Sequence, residues 1–190
     1  MKLETDFSPV DCTSLEIGGV TGKLYLIDYI DWLTATVTRD TDGSISAIAL
    51  TNQGAKAVEY DLPRGASVPS TPLTINNGGK SGWAHTVQAF IPTKDMAIKK
   101  QLACYVNYRR VVAIVVLDSS IVAQVFGADI GLQLTAYEEA PNDPSKGGGL
   151  DVTFTTPADV TLENLPPSTF FDTDRTTTLE ALTALKTAVA

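Results

Sequence analysis

The pattern of apolar and polar positions is most informative between Val111 and Pro157. Four runs of strand length, Val111–Leu117, Ile121–Gly127, Gly131–Glu138 and Leu150–Thr156, follow one another there. Their richness in valine, isoleucine and threonine suits a pleated, half-buried surface. Turn signals separate them: Asp118-Ser119-Ser120, Gly127-Ala128-Asp129 and the Pro/Gly-rich Pro141–Gly149. Strands so closely spaced can pair only antiparallel, because a parallel return needs a crossover of about a dozen residues or more.

Upstream, Lys23–Thr38 (KLYLIDYIDWLTATVT) has the residue types of a strand. Strict alternation gives neither of its sides a clean apolar face, so the pattern predicts a strand that breaks or bulges near Asp28–Trp32. Asp42-Gly43 is a hairpin signal, since glycine adopts the positive φ that tight hairpins need. Ser44–Thr51 is the expected return strand, Asn52-Gln53-Gly54 the next turn, and Ala55–Asp61 the strand after it. Leu62–Gly82, with Pro63, Pro69, Pro72 and Asn77-Gly78-Gly79, reads as a long loop. Connectors of that length are usually functional or disordered.

Trp83–Ile91 alternates again and places Trp83, His85, Val87 and Ala89 on one face. Pro92-Thr93 then opens a helix over residues 94–107, with Thr93 as N-cap and Asp95 in the first turn. Ile98, Leu102, Tyr105 and Val106 form its apolar stripe. Beyond Thr156 the pattern loosens. Ala158–Leu165 reads as one more strand, Thr177 and Glu180 have capping-box spacing, and Leu179, Leu182, Leu185 and Val189 recur at helical intervals. Such a short terminal helix needs its own domain or a neighbour to pack on.

The resulting fold class is mainly β: an antiparallel β-sandwich or barrel with one packed α-helix and a C-terminal extension. Residues 1–165 form the β domain, including the 62–82 loop, and residues 166–190 form the extension. The order of elements over Trp83–Asn164 resembles the tail tube proteins of bacteriophages: helix, apolar strand, short strand ending in Gly127, long strand, glycine loop and closing strand. No catalytic or binding motif carries that resemblance. It implies a structural virion protein, assembled in the host cytoplasm, whose rings of identical subunits, hexameric in the family, stack into a conduit for DNA. Other tail proteins are implied partners. The resemblance also implies an extended loop reaching the adjoining ring, for which Arg64, Val68, Leu73, Ile75 and Lys80 are the candidates. A neck or completion protein of the same fold is the alternative within the class. A carbohydrate-binding β-sandwich, which would need exposed aromatics, is the alternative outside it.

Charge sharpens this picture. The 190 residues carry a formal net charge of -8, which disfavours tight binding of a polyphosphate. Against that background Lys94, Lys99, Lys100, Arg109 and Arg110 gather five of the 14 basic residues around the helix and give it an expected basic face. The N-terminus lacks the apolar stretch of a signal peptide and no run has bilayer-spanning length, so no membrane-spanning segment is expected.

Candidate chemistry is sparse. Gly78-Gly79-Lys80-Ser81 resembles the end of a P-loop, but Thr74 stands where the first glycine belongs and no helix pattern follows. Asp40-Thr41-Asp42-Gly43 resembles a calcium loop, yet aligning its glycine puts Thr38 and Ala49 at two required ligand positions. His85 is the one histidine, and Cys12 and Cys104 lie far apart. These cannot close a His/Cys zinc cage, and His85 is expected in a structural role and the cysteines as small buried hydrophobes. Glu138 and Glu139, adjacent on a strand, point to opposite faces and cannot converge as a catalytic pair. Trp32 and Trp83 are expected in the core. No enzyme, metal or cofactor is implied.

Overall fold

The structure, a computed structural model, describes residues 20–62, 67–74, 82–92, 95–105, 109–117, 123–139, 149–157 and 162–189. In chain order the elements are β1 (Val20–Asp28), α1 (Tyr29–Thr34), β2 (Thr36–Arg39), β3 (Ile45–Ala49), β4 (Val58–Asp61), β5 (Ser67–Ser70), β6 (Leu73–Thr74), β7 (Gly82–Trp83) and β8 (Thr86–Ile91). There follow α2 (Met96–Cys104), β9 (Arg110–Leu117), β10 (Ala123–Phe126), β11 (Leu132–Glu139), β12 (Leu150–Thr155), β13 (Ser168–Phe170) and α3 (Arg175–Ala184). Among the described residues the fold is mainly β, a large sheet with three helices.

β9 organises the sheet. One of its edges pairs antiparallel with β1, which in turn pairs with β4. Along the other edge lie two successive strands: β10 opposite Ala113–Val116, then β11 opposite Arg110 and Val111. From that point the sheet divides. β11 leads through β12 and β8 to β5, whereas β10 leads through β13 and β3 to β2. The four strands expected between Val111 and Thr156 are present and antiparallel. One pairing departs from an all-antiparallel sheet, the parallel contact of β13 with β3 at Phe170 and Ile45.

β9 is buried on both faces, which is why its sequence, VVAIVV, shows no polar alternation. Val111, Ala113 and Val115 enter a core closed by Val87, Ala89 and Ile91 of β8, by Val152 and Phe154 of β12, and by Leu102 and Tyr105 at the end of α2. Strands β1 and β9 therefore face β8 and β12 across this core as two layers. Val112, Ile114 and Val116 enter a second core with Ile45, Trp32, Phe170, Leu182 and Leu185. α3 lies over that second core, so the terminal helix packs on its own domain.

Several expectations are corrected in detail. The break expected near Asp28–Trp32 is a helix, α1, capped by the Asp28 side chain accepting from the Ile30 amide. The N-cap of α2 is Asp95, which accepts from the Ala97 amide, and α2 ends at Cys104, inside the expected 94–107. Thr93 and Val106 lie outside the described residues. The N-cap of α3 is Asp174, accepting from the Thr177 amide, so Thr177 is already helical. Cys104 is exposed rather than buried, and Cys12 lies outside the described residues. The expected strand over Ala158–Leu165 reduces, among the described residues, to a single antiparallel bridge between Glu163 and Trp83.

Candidate functional site

The segment between Leu62 and Gly82 contributes to the sheet. Ser67–Ser70 pairs with β8 in the register Ser67–Ala89, Val68–Gln88, Pro69–Val87 and Ser70–Thr86, which makes β5 an edge strand. Proline has no N–H to give to a ladder, and an edge is where a strand tolerates it. Leu73 pairs with Trp83 in the β6–β7 ribbon. Of the loop candidates, Val68 and Leu73 thus sit on paired strands, while Arg64, Ile75 and Lys80 lie outside the described residues, as does Gly78–Ser81.

The basic residues do not share one face. Lys99 and Lys100 ride on α2, where Lys99 forms an ion pair with Glu139 of β11 and Lys100 is exposed. Arg109 approaches Asp28 at 3.8 Å. Arg110 opens β9 and its guanidinium donates to the Ile130 carbonyl at 3.1 Å. Lys94 lies outside the described residues. Two of the four described cations are therefore turned toward the start of β9 and one toward β11.

A buried polar cluster is the most constructed feature. It surrounds the turn Gly127–Gly131, where the chain passes from β10 to β11 and which the Gly131 amide closes onto the Gly127 carbonyl at 2.9 Å. Five side chains remote in sequence hold its backbone. The Gly127 amide donates to His85 Nδ1 at 3.0 Å. Trp32 Nε1 donates to the Ala128 carbonyl at 2.9 Å, and the Tyr29 hydroxyl donates to the Asp129 carbonyl. Glu163 Oε2 accepts from the Asp129 amide at 3.0 Å and Oε1 from the Ile130 amide at 3.2 Å. Arg110 completes the set.

His85 and Glu163 are 2% and 1% exposed, and both are displaced from their ordinary protonation. Because a backbone N–H points at Nδ1, that nitrogen is unprotonated. The ring proton therefore sits on Nε2, which donates to the Leu165 carbonyl at 3.2 Å. Burial holds His85 below its usual value, against the opposing influence of the Leu165 bond and of Asp129. Burial pushes Glu163 up to about 7, and the hydrogen bonds from the turn amides limit the rise. The His85 ring also lies edge-on to Phe126, with centroids 5.8 Å apart. Glu163 carried no sequence signal: it is a single acid before Asn-Leu-Pro-Pro, and its role comes from the Asp129 and Ile130 amides, 34 and 33 positions away.

Among the described residues the buried Thr156 hydroxyl accepts from the His85 amide at 2.9 Å, and no group of three or more His, Cys, Asp or Glu side chains could hold a metal. The Asp40–Gly43 segment is the β2–β3 hairpin turn, with the Gly43 amide donating to Asp40 O at 3.0 Å. Glu138 and Glu139 are both exposed. Trp32 is buried and Trp83 half-buried, while the exposed aromatics among the described residues are Tyr137 of β11 and Phe171 just after β13. No described helix is long and apolar enough to cross a membrane. The chain matches no family model, no curated protein and no solved structure.

Proposed function

We propose that the chain is a structural subunit of a bacteriophage tail tube, one that works by self-association into rings that stack into a DNA conduit. The observation that carries this reading is the succession α2, β9, β10, β11, β12 around a two-layered β core, in the order that resembles tail tube proteins. Open sheet edges support it as well. Among the described residues β2, β4 and β5 each pair on one side only, and such edges invite pairing or cover by another chain.

The acidic balance suits a conduit through which DNA slides without sticking. Among the described residues no aromatic platform supports the carbohydrate-binding alternative. A self-assembling subunit of this kind buries an obligate-size interface, roughly 2,000 Å² or more per contact. Sedimentation velocity over a wide concentration range tests the reading. A species several subunits in mass that persists on dilution is expected, and a monomer at every concentration contradicts it.

A further inference from the structure

We propose that Glu163 and His85 form a pH-responsive clasp on the Gly127–Gly131 turn. Proton gain or loss at Glu163 resets the amides of Asp129 and Ile130 and, through Trp32 and Tyr29, the seating of α1. This inference stands on the buried cluster and is independent of the assembly reading.

The geometry supplies the two states. Both carboxyl oxygens of Glu163 accept a backbone N–H, an arrangement that suits the ionised form. A protonated carboxyl turns one oxygen into a hydroxyl, a donor and a poor acceptor, so one of the two turn amides loses its partner. Ionisation restores the bond but places a charge in a site that is 1% exposed, where no described cation pairs with it. The cost of each state is met by a different group, and proton concentration decides between them.

The groups facing the carboxyl from each neighbouring element leave it as the responsive member. From α1 comes Tyr29, whose hydroxyl burial pushes up and which is committed to the Asp129 carbonyl. From β9 comes Arg110, whose guanidinium is engaged by the Ile130 carbonyl. The turn itself contributes Asp129, which is exposed and disfavours a second negative charge nearby. The segment between β7 and β8 contributes His85, held neutral by burial, while β7 offers backbone alone through Trp83. His85 thus keeps its grip on Gly127 while Glu163 changes charge near neutrality.

Transmission runs through two donors on α1. Trp32 and Tyr29 bond to the carbonyls of Ala128 and Asp129, which belong to the same two peptide units as the amides that Glu163 controls. Trp32 is also a ready reporter, since the chain has two tryptophans and Trp83→Phe leaves it as the single emitter.

The test follows Trp32 emission between pH 5.5 and 8.5 in Trp83→Phe, with and without Glu163→Gln. The expected result is a titration centred near 7 that disappears with Glu163→Gln, while His85 is left intact. An unchanged curve in the Glu163→Gln protein, or no transition in its parent, overturns the proposal. Hydrogen exchange of the 127–131 amides in the unsubstituted protein, corrected for the intrinsic pH dependence of exchange, guards against a variant that does not fold. Protection that changes across neutrality supports the clasp, and protection that is flat from pH 6 to 8 overturns it.

Discussion

Gly131 and Gly43 both take a left-handed backbone, with φ of +82 and +88, yet they stand in different surroundings. A Cβ at Gly43 meets nothing within 4 Å, whereas at Gly131 it would lie 2.8 Å from Arg110 Cβ and 3.0 Å from the Tyr29 ring. Gly43→Ala should therefore cost only the backbone term, about 1 kcal/mol. Gly131→Ala should cost roughly 2–4 kcal/mol, because strain adds to displacement of two groups that hold the turn. Urea unfolding of the two variants measures this difference, and equal losses would contradict the account of the turn. At this scale the sequence was partly legible. Gly43 announces its hairpin through Asp42-Gly43, but the caps were misplaced by two or three residues. Thr93 and Asp95, like Thr177 and Asp174, are all competent caps, and apolar periodicity does not locate a helix start within a turn. Glu163 was invisible, since its role depends on amides more than 30 positions away.

β9 could be read as an unbroken apolar run, which burial on both faces explains, and β12 by the alternation of LDVTFT, which its burial follows. α1 left only a conflict in the alternation of Lys23–Thr38: six residues, Tyr29–Thr34, are too few to show a helical period. β5 was hidden by Pro69 because an edge strand accepts a residue that an inner strand excludes. A boundary at 166 separates α3 from the β domain, but Leu182 of α3 and Leu185 at its C-cap lie in the second core. A chain stopped after Thr173 should thus unfold rather than lose an appendage, with each missing leucine worth about 2–5 kcal/mol. Thermal unfolding followed by near-UV dichroism checks it, and a truncated chain with unchanged Tm would contradict the packing described.

Glu59 of β4 joins three elements, with Lys23 of β1 at 2.6 Å and Lys186 beyond α3 at 2.7 Å. Burial pushes its carboxyl up, but hydrogen bonds from Lys186, Lys23 and Tyr25 outweigh that and bring it down to about 2. A folded-state value below the unfolded one stabilises above pH 4.5, the ordinary value, and the gain is lost as pH falls through the folded value. Denaturant midpoints should therefore drop between pH 4.5 and 2, and Glu59→Gln should flatten that decline while lowering stability at neutral pH. A decline of unchanged steepness in Glu59→Gln would remove Glu59 as its cause.

For the molecule as a whole, the proposed reading is that of a building block, supported by the three sheet edges that pair on one side only among the described residues. The segment from Leu62 to Gly82 now divides into two parts for this purpose. Ser67–Ser70 covers β8, so replacing all of Arg64–Lys80 would strip an edge strand from the domain as well as remove a contact. Shortening only Ile75–Lys80 to a Gly/Ser turn should leave denaturant stability within about 0.5 kcal/mol of the parent. By the resemblance to tail tube proteins it should allow rings but prevent their stacking. Full-length tubes from that variant would remove this segment from the inter-ring contact. The central claim, that this chain assembles into a tube, is tested most directly by negative-stain electron microscopy of the purified full-length protein. The account predicts rings of uniform diameter with a stain-filled channel, stacking into tubes as concentration rises. A field of separate single-subunit particles at every concentration would contradict it.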